Sequence, residues 1–508
     1  MASAQDIRNR IPITGALMLA TLMSTLDSTI ANVALPNMQG SLSASQDQVI
    51  WVLTSYILAT AVMTPLSGWL SQKFGRKRVL QIAIVGFTLA SMLCGIATSE
   101  PEMVAFRVLQ GLAGASLIPL SQSVMLDIFP MHMIPRVMSL WSSAVILGPI
   151  LGPTLGGWIT ENLDWRWVFF INVPIGMMAA LGVTRFMGHD SGGRERPCDV
   201  IGFTALVSFV VGLQMLLDRG PSNDWLDSQE IWLWTALGLA GLWVFVVQTA
   251  TSPHPFFDRA LTRDTNFIGT TIFGFFVGIL LFSSSALIPS FMQNLLGYSA
   301  LQSGVASMTR GIGSLMSFLL VPVLVSRIGA RMVLFIGLLV SIWALWMMAH
   351  FDTTMTSAPI VISGLIQGLG VGLLFAPRST LAYATIDPVH RVEGTIVATM
   401  ARSLGSSVGI SLVQALVIRD GAVAHSELAA RIDPSNPLIR GVLPKIMDPA
   451  TPGGLGILNG EITRQAAMIG YVDVFAWMML STALLIPLVL ILRPAPPLKM
   501  SPAEAHGE

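Results

Sequence analysis

Fourteen stretches of about 20 mostly apolar residues follow one another along the chain, beginning near residues 12, 49, 79, 102, 136, 166, 200, 230, 266, 301, 332, 357, 392 and 472. That is the length an α-helix needs to cross a hydrocarbon core of roughly 30 Å. Only 11% of residues are charged, against roughly 25% in an ordinary soluble domain. An all-α membrane protein is the fold class that follows, because spanning helices satisfy their own backbone groups. The first run has no small-residue cleavage site after it and is read as a retained span.

An even number of spans puts both termini on one side. Under a model with the N-terminus inside, the inner segments hold Arg8, Arg10, Lys73, Arg76, Lys77, Arg78, Arg136, Arg185, Arg194, Arg196, Arg259, Arg263, Arg327, Arg331, Arg391, Arg493 and Lys499, and the short outer loops hold Arg166 and Arg219. Basic short loops stay in the cytoplasm, so both termini are predicted there. The formal net charge is zero, and no nucleic-acid partner is indicated. Cys94 falls in an apolar run and Cys198 in a polar inner linker, a placement against a disulfide. An outer loop is predicted over about 420–471, with a solvated loop favoured over a short amphipathic helix from Leu455 to Met468.

The chain also repeats itself at about half its length. Gly68-Trp-Leu-Ser-Gln-Lys-Phe-Gly-Arg-Lys echoes Pro322-Val-Leu-Val-Ser-Arg-Ile-Gly-Ala-Arg, Gln110-Gly111 matches Gln367-Gly368, and Gly148 and Gly152 match Gly405 and Gly409. Residues 1–190 then form one six-span bundle and 266–508 a second, with an inserted pair of spans in 191–265. Duplicated bundles with a ligand site between them are a transporter architecture.

Within the apolar runs, Asp27 is the acid placed deep in an N-half span. A carboxylate at the bilayer centre costs about 2.5–3.5 kcal/mol on insertion scales. It reads as a proton or cationic-substrate site, or as a structural acid bonded to Ser28, Thr29 or a neighbouring helix. Arg310, Arg378 and Arg402 lie in C-half apolar stretches and must find carbonyls, water or an anionic substrate group. Polar candidates for a cavity wall are Asn32, Gln122, Gln293, Asn294 and Gln367, joined by Arg310 and Arg402. There is no phosphate-binding loop, nucleophile elbow or metal-spaced His/Cys cluster, so an enzyme, a cofactor or a bound metal is not expected.

Longer motifs carry a family resemblance. The run Leu26-Asp-Ser-Thr-Ile-Ala-Asn-Val-Ala-Leu-Pro36, the run Trp165-Arg-Trp-Val-Phe-Phe-Ile-Asn-Val-Pro-Ile-Gly176, and Leu213-Gln-Met-Leu-Leu-Asp-Arg-Gly220 followed by Asp224-Trp225 are similar to the fourteen-span drug:proton antiporter branch of the major facilitator superfamily, of the EmrB/QacA type. The resemblance implies proton-driven export of small amphipathic or lipophilic compounds across a bacterial inner membrane by alternating access, with the proton gradient as energy source. It implies that Arg107 takes part with Asp27 in proton coupling; a snorkelling arginine at a helix end is the alternative, and the position of Arg107 relative to Glu102 and Gln110 allows a polar network. Gly148, Pro149, Gly152, Pro153, Gly156 and Gly157 resemble the antiporter signature of span five, where glycines permit close helix approach and prolines interrupt backbone bonding. Gly68, Gly75, Arg76 and Lys77 resemble the inner loop between spans two and three. Gln72 stands where that loop usually has an acid, and Asp127 is an alternative acid near the same face. The EmrB-like match further implies a periplasmic adaptor and an outer-membrane channel. Two alternatives stand beside this reading: an exporter or symporter of one metabolite or lipid, and a non-transporting membrane sensor or enzyme.

Overall fold

In the computed structural model, residues 4–188, 197, 199–220, 223, 225–431, 447 and 451–493 are described. Arg194, Arg196, Cys198, Asp224 and Lys499 lie outside them, as does part of the expected outer loop. Among the described residues fourteen helices are long and apolar enough to cross a membrane: α1 (Arg10–Ser41), α2 (Gln46–Phe74), α3 (Arg76–Ile96), α4 (Glu100–Ile128), α5 (Ile134–Asn162), α6 (Trp167–Phe186), α7 (Val200–Arg219), α8 (Gln229–Thr251), α9 (Thr265–Asn294), α10 (Ala300–Ile328), α11 (Ala330–Met348), α12 (Ser357–Ala384), α13 (Arg391–Arg431) and α14 (Pro452–Ala483).

Helices α1–α6 and α9–α14 form two bundles built on the same pairings: α1 with α5 and α9 with α13, α2 with α4 and α10 with α12, α3 with α6 and α11 with α14. Small residues fix these crossings. A Cβ on Gly111 of α4 would run into the Tyr56 carbonyl oxygen of α2, and one on Gly368 of α12 into that of Arg310 on α10. At the same places Thr60 Oγ1 donates to Gly111 O at 3.3 Å and Ser314 Oγ to Gly368 O at 3.1 Å. Without a hydrophobic force between helices in lipid, such close backbone approach and hydroxyl-to-carbonyl bonds hold the contacts.

Two corners repeat as well. Gly75 alone separates α2 from α3 with φ 86°, and Gly329 alone separates α10 from α11 with φ 81°. That left-handed region suits glycine at little steric cost. Both α2 and α10 begin with a capping box, Ser45 with Gln48 and Ser299 with Gln302, a further echo between the halves that satisfies the first orphan amides.

The inserted pair packs chiefly on itself, through Gly212 against Gly238 and Gly241 against Phe209. Helix α7 touches α2 and α13. Helix α8 is peripheral, with 17% of its apolar window buried against 67% for α1 and α5.

The expected outer loop over about 420–471 is corrected at its two described ends, 420–431 and 452–471. Helix α13 continues to Arg431 and α14 starts at Pro452, packed on each other as a hairpin in which His425 Nε2 meets Asn459 Oδ1 at 3.2 Å. Leu455 to Met468 is therefore part of α14. Ala422, Ala424, Ala429 and Ala430 are strong helix formers that carry the turn structure past the apolar run.

The twin crossings respond alike to crowding. Gly111→Val and Gly368→Val are each expected to lower stability by about 1–3 kcal/mol, the usual range for overpacking, while Gly453→Val, with open space around it, shifts little. Thermal unfolding of the detergent-solubilised protein checks this; a Gly453→Val loss equal to the other two would remove the packing argument.

Candidate functional site

Asp27 of α1 and Arg107 of α4 are both fully buried and form an ion pair, Nη1 to Oδ2 at 2.7 Å. Gln110, one turn beyond Arg107 on the same helix face, donates Nε2 to Asp27 Oδ1 at 2.9 Å and accepts from Arg107 Nη1 at 2.7 Å. Asn172, where α6 restarts after Ile171, donates Nδ2 to Asp27 Oδ1 at 2.8 Å and to Ser91 Oγ at 2.9 Å. The guanidinium also donates Nε to Val52 O at 3.0 Å and lies over the Tyr56 ring at 4.2 Å. The carboxylate thus has three donors from two helices other than its own. Glu102 takes no part: it is exposed and accepts from Thr98 N and Oγ1.

Such a pair is balanced only while both charges stay. Protonation of Asp27 would leave Arg107 buried without a counter-charge, with the Val52 carbonyl, the Gln110 amide and the Tyr56 and Phe169 rings against it. Desolvation makes that state costly, so the occupancy of one carboxyl oxygen and the arrangement of α1, α4 and α6 are linked.

The other face of α1 packs on α5. A Cβ at Gly148 or Gly152 would strike Thr25 or Thr29, and one at Gly156 would press on Ile30 O at 3.0 Å. Thr25 Oγ1 donates to Ala144 O at 3.3 Å and Thr29 Oγ1 to Gly148 O at 3.1 Å. Helix α5 runs through Pro149 and Pro153 without interruption. A Cβ at Gly157 would meet nothing within 4 Å, so packing does not explain that glycine.

At the end of the bundle carrying Gly75, charges tie the halves together. Arg76 Nη1 pairs with Asp127 Oδ2 at 2.5 Å, and Arg391 at the start of α13 pairs with Asp127 Oδ1 at 3.2 Å. Gln72 Nε2 donates to Glu393 Oε1 at 3.2 Å, while Glu393 Oε2 accepts from Asp258 N at 2.9 Å. The acid missing at position 72 has its counterpart on the opposite helix. Gly68 lies within α2 rather than in a loop, and a Cβ on it would meet Ile396 Cδ1 of α13, so this end of α2 lies directly against the second bundle. Lys77 Nζ donates to Thr184 O and Met187 O at 3.1 and 2.5 Å, binding carbonyls at the negative end of α6.

The cavity candidates do not gather in one place. Gln122 is buried between the halves, with Nε2 3.4 Å from Ser379 Oγ. Gln367 is buried with neither amide atom partnered, and Arg310, Arg378 and Arg402 are buried in the second bundle. Asn32 is exposed, as are Gln293 and Asn294 at the far end of α9.

Comparison with known proteins gives these features a setting. The family description that matches is Major Facilitator Superfamily, over residues 17–410. The chain belongs to that superfamily. Among its relatives, the probable multidrug resistance protein EmrY of Escherichia coli K12 is 34% identical over 95% of each chain, and the multidrug export protein EmrB of Haemophilus influenzae is 34% identical over 92% of each. The fatty acid resistance protein FarB of Neisseria gonorrhoeae is 33% identical over 95% of this chain and 96% of that one. Among solved structures, the human organic anion transporter MFSD10 superposes with a TM-score of 0.61 at 13% identity, covering 93% of this chain and 99% of that one. The proton:xylose symporter XylE does so at 0.57 and 17%, covering 94% and 95%. These two share the superfamily fold.

Sequence reading missed Asn172, Tyr56, Ser91 and Glu393 as members of these clusters. Asn172 carried a signal, since it lies inside the Trp165–Gly176 run; Tyr56 and Ser91 carried none.

In this superfamily member the Asp27–Arg107 pair is testable by asymmetry. Arg107→Leu alone is expected to cost about 3–5 kcal/mol by stranding a buried carboxylate, whereas Asp27→Asn with Arg107→Leu loses less than the single change. Thermal unfolding of the wild type, Arg107→Leu, Asp27→Asn and the double variant reads this; a double-variant loss equal to the sum of the two single losses would show that the two side chains are not coupled.

Proposed function

We propose that the protein is a proton-driven antiporter that exports small amphipathic or lipophilic compounds by alternating access. The observation that carries this reading is the fully buried Asp27–Arg107 pair at the meeting of α1, α4 and α6, with α1 also seated on the glycine face of α5. An ionisable pair at that depth is maintained at a cost in the bilayer, and a proton changes its charge balance without any cofactor. The proton gradient is then the energy source. A proton reaching Asp27 removes the carboxylate's hold on Arg107, and the shift passes along α1 to the Thr25 and Thr29 bonds on α5.

In this reading the basic loops, including Arg8, Arg76, Lys77 and Arg331, lie in the cytoplasm, with both termini there and the membrane being the bacterial inner membrane. Residues 1–190 and 266–508 act as the two rocking bundles and 191–265 as the inserted pair. The ties from Asp127 to Arg391 and from Gln72 to Glu393 close the cytoplasmic side and must part when substrate enters. The names of EmrB and EmrY as multidrug proteins and of FarB as a fatty acid resistance protein support export of apolar compounds. Likeness to EmrB also supports work with a periplasmic adaptor and an outer-membrane channel, which co-purification would test.

Everted membrane vesicles carrying an acid interior give the direct assay. Lipophilic substrates are expected to dissipate the pH gradient through the wild-type protein and not through Asp27→Asn. A panel of such compounds that leaves the gradient untouched, or an Asp27→Asn protein that dissipates it fully, would overturn the reading.

A further inference from the structure

The second bundle buries three guanidinium groups, and none has a carboxylate partner among the described residues. Arg310 is satisfied by neutral acceptors, Ser285 Oγ and Leu281 O, both at 2.8 Å. Arg378 and Arg402 are not. The acceptor for Arg378 is Thr270 O at 3.4 Å, and its Nε is buried without a partner. Arg402, 6% exposed, has no hydrogen-bond or ion-pair partner among the described residues. Both guanidinium groups face the same ring, Phe375, at 5.8 and 5.4 Å from its centroid. The Tyr383 hydroxyl, within electrostatic reach of both, is buried and unpartnered as well.

Two like charges around one ring, removed from water and short of acceptors, are a poor way to build a helix contact. An apolar pair of similar volume would pack there at lower cost. An anionic group is the kind of acceptor that is lacking, since a carboxylate offers about four lone-pair sites and accepts from guanidinium forks and from a hydroxyl. The position fits cargo entering from the cytoplasmic side. Arg378 lies roughly 9 Å from the inner end of α12 and Arg402 roughly 16 Å from that of α13, by helical rise. Ser379, next to Arg378, meets Gln122 of the first bundle, so parting of the bundles at that end would uncover both arginines.

We propose that Arg378 and Arg402, with Tyr383, bind the anionic headgroup of amphipathic substrates, so that a carboxylate or phenolate on an apolar body is the preferred cargo. This rests on the transport reading above for its meaning, but its test needs no proton gradient and reads the site alone. Full-length protein in phosphatidylcholine nanodiscs is equilibrated with radiolabelled decanoate, decanol or decyltrimethylammonium, with empty discs as the blank.

Saturable decanoate binding that exceeds that of the other two is expected, weakened at least about tenfold by Arg402→Gln and by Arg378→Gln, the scale of one lost charge-assisted hydrogen bond. Decanol binding should not change. Arg402→Lys keeps the charge and loses the fork, so intermediate affinity is expected, which separates a lost ligand contact from a lost fold. Equal affinity for decanoate and decanol in the wild type, or decanoate binding unaltered in folded Arg402→Gln, would overturn the proposal. Complete loss of decanoate binding when phosphatidylglycerol is added to the discs would also overturn it, by assigning the site to a lipid headgroup.

Discussion

The ion pair between Asp27 and Arg107 sets the terms for the first bundle. Neither charge can be left alone in the interior, so the surrounding helices supply amides rather than more charge: Gln110 from α4 and Asn172 from α6 donate to the carboxylate, while Val52 O and the Tyr56 and Phe169 rings meet the guanidinium, whose Nη2 has no hydrogen-bond partner among the described residues. The close crossing that lets α2 present Val52 and Tyr56 to α4 depends on Gly111 lacking a side chain. Position, packing and polarity are therefore one constraint here, and loss of either charge would act on three helix contacts together.

The second bundle repeats the crossings but not the chemistry. Gly405 and Gly409 seat α13 on α9 as Gly148 and Gly152 seat α5 on α1. Yet where the first bundle holds an ion pair, the second holds Arg378 and Arg402 with no carboxylate partner among the described residues. A duplicated scaffold has thus kept its backbone contacts while its buried charges have diverged. One half pairs its buried charges within itself. The other is electrically open and lies beside the interface between the halves, through Ser379 and Gln122.

Much of this was legible in the sequence because the bilayer imposes lengths and penalties that leave few alternatives. Apolar runs give the fourteen helices, and Asp27 announces itself as an acid in a place where acids are expensive. The glycine pairs matched at half-length correspond to twin helix crossings. What could not be read depends on contacts between distant segments. Glu393 sits beside basic Arg391 at a helix start and looks like an ordinary solvated acid; that it receives Gln72 requires α2 and α13 to meet. Tyr56 is one aromatic among many until α4 places Arg107 over it. The ends of the 420–471 segment were misread for another reason: hydropathy detects where a helix leaves the membrane, not where it ends, and the alanine-rich extension of α13 to Arg431 is helical without being apolar.

The central claim is that Asp27 carries the proton whose exchange is linked to substrate. Proton release on substrate binding can be followed directly with a pH-sensitive dye, in weakly buffered solution, using purified protein in detergent. The account requires release in the wild type that is absent from Asp27→Asn at saturating substrate. Release of equal size from both proteins would place the exchanged proton elsewhere and contradict it.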